Sequence, residues 1–308
     1  MNKKNIIGLI LTLLVALPFI MDQENKTIED FKAAKENFIE LPQGRTYYED
    51  RPGKKGTVIF THGFSTPSFS VQKLAKDIHK DGYRTIIFDL YGRGLSERIE
   101  PPYTIETFTT QTLNLLKALK IEGPIHWVGL SMGSGIVLRI IKEHSELFKT
   151  VTLISPNGLP IRVPIVAQLV KIPYLGKYFL KSFGDLGLRK GLRKNFYQPE
   201  RFPEFFDEAE SKSEIIGSKD ALQSTLMNFP FSDLIDEYRF LSQSKIPTLI
   251  FWGRYDEVTP YENHKKLLQL VPSAILHTIE NARHLPHYEK PEETFETWKK
   301  FIHLYTKK

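Results

Sequence analysis

Residues 129–133 read Gly-Leu-Ser-Met-Gly. They lie between a short apolar run, Ile125-His126-Trp127-Val128, and a helix-length segment that continues through Ile136-Val137-Leu138. A serine with glycines two positions away on either side, at a strand-to-helix turn, is a G-x-S-x-G nucleophile elbow. The turn is tight enough to strain the serine backbone, and it holds the hydroxyl clear at the top of a sheet. A free serine hydroxyl is a weak nucleophile, so a base and an acid that orients the base must exist elsewhere. Thr248–Gly253 reads as a buried strand, and Asp256 falls just past its end. Ala274–Glu280 reads as another, and His284 falls just past that. In a parallel sheet the carboxyl ends of the strands share one edge. Ser131, Asp256 and His284 therefore converge, and the chemistry they offer is acyl transfer. Glu257 is the rival acid and His287 the rival base; the bland alternative is a strand–turn–helix with a solvated serine.

The elements that must position these residues follow from periodicity. Strands at 56–60, 84–88, 125–130, 151–155, 248–253 and 274–280 alternate with helices at about 68–81, 104–120 and 295–302. A hairpin of Phe38–Leu41 and Thr46–Tyr48 precedes them, after a short polar helix over Thr27–Lys35. Such alternation calls for a parallel sheet with right-handed crossovers and helices on both faces. About ninety residues separate Ser155 from Thr248, where a crossover needs roughly a dozen or more. The excess implies an inserted helical cap. The chain divides into an N-terminal membrane anchor or signal segment (1–26), a first core part (27–156), the cap (157–247) and a second core part (248–308).

With these pieces in order, the chain from about residue 38 to its end resembles the α/β-hydrolase family. The order Ser…Asp…His is that family's order. His62-Gly63-Phe64 after strand 56–60 is similar to its oxyanion loop, and Asp89-Leu90-Tyr91-Gly92-Arg93-Gly94-Leu95-Ser96 to its D-x-x-G-x-G-x-S turn. His284 through Pro291 resembles the H-x-x-x-x-E-x-P tail of its lipase, esterase and C–C hydrolase branches. The resemblance implies an α/β-hydrolase fold with a mostly parallel central sheet. It implies Ser131 as nucleophile, His284 as base, Asp256 as acid, and the backbone amides of Phe64 and Met132 as the oxyanion hole. His62 and Asp89 read as residues that shape loops. Ser131 argues against dehalogenases and epoxide hydrolases, which carry aspartate at the elbow. Leu285 stands where meta-cleavage C–C hydrolases usually carry tryptophan, and Arg283 where the family often has glycine.

Composition narrows the classes further. The 308 residues carry a net charge of +6, with 41% hydrophobic and 25% charged residues of mixed sign, a balance that does not make a nucleic-acid binder. The absence of cysteine excludes disulfides and a thiolate nucleophile. No histidine has metal-ligand spacing, so neither a metal nor another cofactor is expected. Lys3 and Lys4 precede an uncharged run from Asn5 to Met21, with Asp22 and Glu24 beyond it. A run of that kind predicts a membrane-directed segment, favoured as a retained transmembrane signal-anchor because no small-x-small cleavage site follows. The charge order would leave the catalytic domain on the non-cytoplasmic side, membrane-anchored, or secreted if the segment is cleaved. From Arg162 to Arg201 the cap carries nine Lys/Arg against two acids, interleaved with apolar residues.

The expected function is hydrolysis of carboxylic esters with medium or long acyl chains, monoacylglycerols among them, by an acyl-enzyme route. A C–C bond hydrolase, a small-ester esterase and a catalytically dead binding protein of the same fold are the alternatives.

Overall fold

The computed structural model describes residues 2–31, 37–161 and 165–306. Helix α1 (Lys3–Met21) opens the chain, followed by strands β1 (Phe38–Leu41), β2 (Gly44–Arg51) and β3 (Thr57–Thr61). Helices and strands then alternate: α2 (Phe69–Lys80), β4 (Arg84–Phe88), α3 (Ile105–Ala118), β5 (Ile125–Leu130), α4 (Met132–Glu143) and β6 (Phe148–Ile154). Five helices come before the next strand: α5 (Ile165–Val170), α6 (Leu175–Arg193), α7 (Pro203–Ser213), α8 (Ser218–Asn228) and α9 (Ile235–Ser244). The chain closes with β7 (Thr248–Gly253), α10 (Asn263–Leu270), β8 (Ile275–Ile279), α11 (Pro286–Glu289) and α12 (Pro291–Thr306).

The eight strands form one sheet in the order β1-β2-β4-β3-β5-β6-β7-β8. Strand β2 runs antiparallel to β1 and β4, and the pairs from β4 across to β8 are parallel. Strand alternation sends neighbouring side chains into two different cores. Ile59, Trp127 and Ile250 join one cluster with α3, α4 and α9. Val58, Phe60, Val128, Leu249 and Phe251 join the other with α2 and α12. Covered on both faces, β5 is buried at all six positions, which is why it reads as an unbroken apolar run.

Two expectations need correction. The first is the transmembrane signal-anchor. Among the described residues no helix is long and apolar enough to cross a membrane. The uncharged run of α1 stays near the lower limit of about 17–25 residues for a span and carries Pro18 inside it. The helix packs along α6, and Tyr178 donates to the Leu14 carbonyl at 2.7 Å. The second is the polar helix over Thr27–Lys35. Ile28–Asp30 is a single 3-10 turn closed by a Thr27–Asp30 capping box, and residues 32–35 lie outside the described residues.

The segment after α1 is built into the cap. Lys26 forms a parallel bridge with Ile215. Lys219, 1% exposed, holds Asp22 at 2.6 Å and Asp185 at 2.8 Å, and Lys181 holds Asp22 at 2.8 Å. Helix α6 turns Leu175, Phe183 and Leu186 outward instead of inward over the sheet. Its buried positions include Gly176, Ser182 and Gly184, small residues that allow close approach.

Candidate active site

Ser131 sits between β5 and α4 with φ 51° and ψ −118°. A non-glycine residue in this region is strained, and it is held there by what surrounds it. The Ser131 amide donates to the Ile154 carbonyl at 2.8 Å. A Cβ on Gly133 would stand 2.1 Å from the Thr61 carbonyl oxygen, so only glycine lets α4 start this close to β3. Gly63 of the loop after β3 lies directly against Ser131, where an added Cβ would meet the serine Cβ at 3.5 Å.

Asp256 and His284 come together across the loops after β7 and β8. Arg254 and Tyr255 donate their amides to the Ile279 and Ala282 carbonyls. Gly253 passes so close to the Arg283 carbonyl that a Cβ there would lie 2.0 Å from it. His284 Nδ1 is 2.9 Å from Asp256 Oδ2, and both side chains are buried. Glu257, the rival acid, is exposed and lies 3.9 Å from Arg283. Among the described residues no hydrogen bond joins Ser131 Oγ to His284, a contact that commonly tightens only when substrate binds.

Thr259 is the residue the sequence reading missed. Its hydroxyl donates to Asp256 Oδ2 at 2.8 Å and lies 3.3 Å from His284 Nδ1. The other carboxylate oxygen, Oδ1, accepts from the Val258 and Thr259 amides at 2.8 and 3.0 Å. The Asp-x-x-Thr spacing was the available signal, because an aspartate commonly bonds backbone two or three residues on. Behind His284, Glu289 accepts from the Arg283 amide at 2.7 Å and from Tyr197 at 2.7 Å, which fixes the base-bearing loop to the cap.

The backbone N–H groups of Phe64, next to Gly63 in the loop after β3, and of Met132, at the start of α4, donate to no protein acceptor among the described residues. His62 braces this loop. It accepts from the Leu90 amide through Nε2 at 2.9 Å, so Nδ1 carries the proton toward the Gly63 carbonyl at 2.8 Å. Burial pushes its pKa down to about 4, keeping it neutral. Asp89 accepts from the Ser68 and Leu95 amides at 2.8 Å each, tying the two loops together. His287 is fully buried, with Nε2 2.9 Å from the Ser70 carbonyl. No cluster of His, Cys, Asp or Glu able to hold a metal occurs among the described residues.

A strained serine elbow on a mostly parallel sheet, with an Asp–His pair at the same edge, defines a class. The chain matches the alpha/beta hydrolase fold family over residues 56–291 and belongs to it. It is 26% identical over 249 residues to Lipase 1 of Psychrobacter immobilis, covering 79% of this chain and 76% of that one. It is 24% identical over 266 residues to the 2-hydroxy-6-oxo-6-(2'-aminophenyl)hexa-2,4-dienoic acid hydrolase of Metapseudomonas resinovorans, covering 84% and 87%. The enol-lactonase of Burkholderia xenovorans LB400 superimposes with a TM-score of 0.74 at 21% identity, covering 86% of this chain and 99% of that one.

Proposed function

We propose that this protein is a serine hydrolase that cleaves carboxylic esters with medium or long acyl chains, monoacylglycerols among them. The observation that carries the reading is the buried Asp256–His284 pair at 2.9 Å, on the sheet edge where Ser131 is held at φ 51°. His284 takes the Ser131 proton as the hydroxyl oxygen bonds the acyl carbon. Asp256 holds the imidazole by Nδ1 and stabilises its protonated form. The Phe64 and Met132 amides receive the oxyanion, each such donor contributing about 3 kcal/mol in the transition state. Collapse breaks the ester C–O bond and the alcohol leaves with the proton from His284. Water, deprotonated by the same histidine, then releases the acid and restores Ser131.

The aromatic cluster packed beside the oxyanion loop makes this side of the site apolar, which supports an acyl chain as the bound group. Phe64 meets Phe231 edge-on at 5.4 Å, and Phe231 stacks obliquely on Phe229 at 4.9 Å. Each methylene buried there contributes about 0.8 kcal/mol. Two measurements test the reading. A fluorophosphonate probe should label wild type and not Ser131→Ala; labelling of both overturns the nucleophile. Efficiency should rise from acetyl to octanoyl 4-nitrophenyl esters, and a strong acetyl preference overturns the chain-length claim.

A further inference from the structure

Between the oxyanion loop and the cap lies a cavity of about 210 Å³. Its floor is Ser65, next to Phe64, together with Pro67 and Arg93, and its roof comes from α6 and α7. Four cations line it: Arg93, Arg189, Arg193 and Lys212. Two acids line it as well, and both are already engaged. Asp185 pairs with Lys219 at 2.8 Å, and Glu210 pairs with Arg189.

The other three cations have no carboxylate within ion-pair distance among the described residues. Arg93 is 3% exposed, and its guanidinium donates only to neutral acceptors: the Phe64 carbonyl at 3.0 Å, the Tyr91 carbonyl at 3.2 Å and Thr225 Oγ1 at 2.7 Å. Lys212 lies 4.2 Å from the Phe31 ring centroid and makes no hydrogen bond. Arg193 packs over Phe206 at 5.3 Å. Arg193 is exposed and Lys212 half-buried, so the unpaired buried charge is that of Arg93. A buried cation without a counter-charge costs several kcal/mol, which its contacts with the Phe64, Tyr103 and Phe108 rings offset only in part. Burial pushes the Arg93 pKa down to about 9 and lowers that of Lys212, although Asp89 and Glu208 act on the amine through space. The remaining walls, Leu188, Leu192 and Leu222, are apolar.

We infer that this cavity receives an anionic group carried by the ester substrate, with Arg93 and Lys212 as its counter-charges and the leucines against the adjoining chain. The substrate is then an amphiphile with the charge at one end and the scissile ester within reach of Ser131. The anion is either a carboxylate ending the acyl chain or a phosphate on the alcohol. This inference rests on the serine-hydrolase reading, and fluorophosphonate labelling together with turnover of neutral esters reports on that reading separately.

The test compares two charged–neutral pairs on the full-length protein. The first is mono-4-nitrophenyl octanedioate against 4-nitrophenyl octanoate. The second is 1-octanoylglycerol 3-phosphate against 1-octanoylglycerol. In one pair the charged member should exceed its neutral partner in kcat/KM by about tenfold or more, and the pair that responds identifies the source of the charge. Lys212→Met should reduce that ratio at least about fivefold while the variant still labels with fluorophosphonate, and Lys212→Gln provides a second variant should the first not fold. Neutral preference in both pairs, or an excess that survives both substitutions, overturns the inference. Failure to label, with no turnover of any ester, would instead overturn the hydrolase reading beneath it.

Discussion

His287 lies three residues after the proposed base, and the structure gives it a different task that can be measured. Its Nε2 faces the Ser70 carbonyl at 2.9 Å and so carries the ring proton, while Nδ1 is buried without a partner. Protonation would place a charge where neither water nor an acceptor can meet it. Burial, opposed by the Ser70 bond, pushes the pKa from 6.5 to about 4. The folded value is below the unfolded one, so protons favour the unfolded chain. The stabilisation is complete above about pH 6.5 and is lost as pH falls toward 4. At pH 5, about 1.5 units below the unfolded value, this one group lowers stability by ~2 kcal/mol relative to pH 8. Against a total of about 5–15 kcal/mol the change is large enough to resolve. Urea unfolding at pH 8 and pH 5, for wild type and His287→Gln, should show the variant losing ~2 kcal/mol less across the interval. The variant should still label with fluorophosphonate, whereas His284→Gln should not. Equal pH dependence in the two proteins would refute the buried neutral state. Inactivation of His287→Gln to the level of His284→Gln would mean that the wrong histidine carries the chemistry.

Three further outcomes follow from the packing around the site. Ser131→Ala should lower ester turnover by about 10⁴-fold or more with an unchanged melting temperature, and activity within tenfold of wild type would remove Ser131 as nucleophile. Gly133→Ala forces a methyl against the Thr61 carbonyl. It should cost about 1–3 kcal/mol and slow turnover by displacing the loop that carries Phe64; wild-type melting and rates would contradict the close approach. Lys219→Met leaves Asp22 and Asp185 without their shared ammonium. It should destabilise by about 3–5 kcal/mol and speed proteolytic cleavage near residues 22–31, and an unchanged digestion pattern would show that the N-terminal segment is held by other contacts.

What could be read from the sequence was what local chemistry dictates. The elbow, the strand ends bearing Asp256 and His284, and the loop at Phe64 depend on glycine backbone freedom and strand spacing, and both are written into short stretches of chain. The parallel strands, doubly covered, announce themselves as apolar runs. Contacts between distant segments leave no such mark. Thr259 looks like any loop threonine until Asp256 folds back on it. The apolar run of α1 touches α6, more than 150 positions away, along one side, a contact no local pattern announces, and leaves Leu9, Leu13 and Phe19 exposed. Nor does apolar content show which way a cap helix faces: α6 buries Gly176, Ser182 and Gly184 and sends Phe183 and Leu186 out. Arg93 sits inside a recognisable turn motif, but only the three-dimensional surroundings show that its charge has no carboxylate partner.

The clasp at Asp22 constrains how the chain can be matured. Residues 22–26 contribute two carboxylates and a backbone bridge to the cap, with Glu24 accepting from the Lys219 and Gly217 amides. A cut just before Asp22 would create a new ammonium group beside Lys181 and Lys219, adding a third positive charge around one carboxylate that already serves two. A cut just after it would remove that carboxylate and leave the buried Lys219 with Asp185 as its remaining ion-pair partner. Either product would have a looser roof over the cationic cavity. The junction between Met21 and Asp22 is therefore where helix α1 meets the ion-pair cluster that ties the N-terminal segment to the cap.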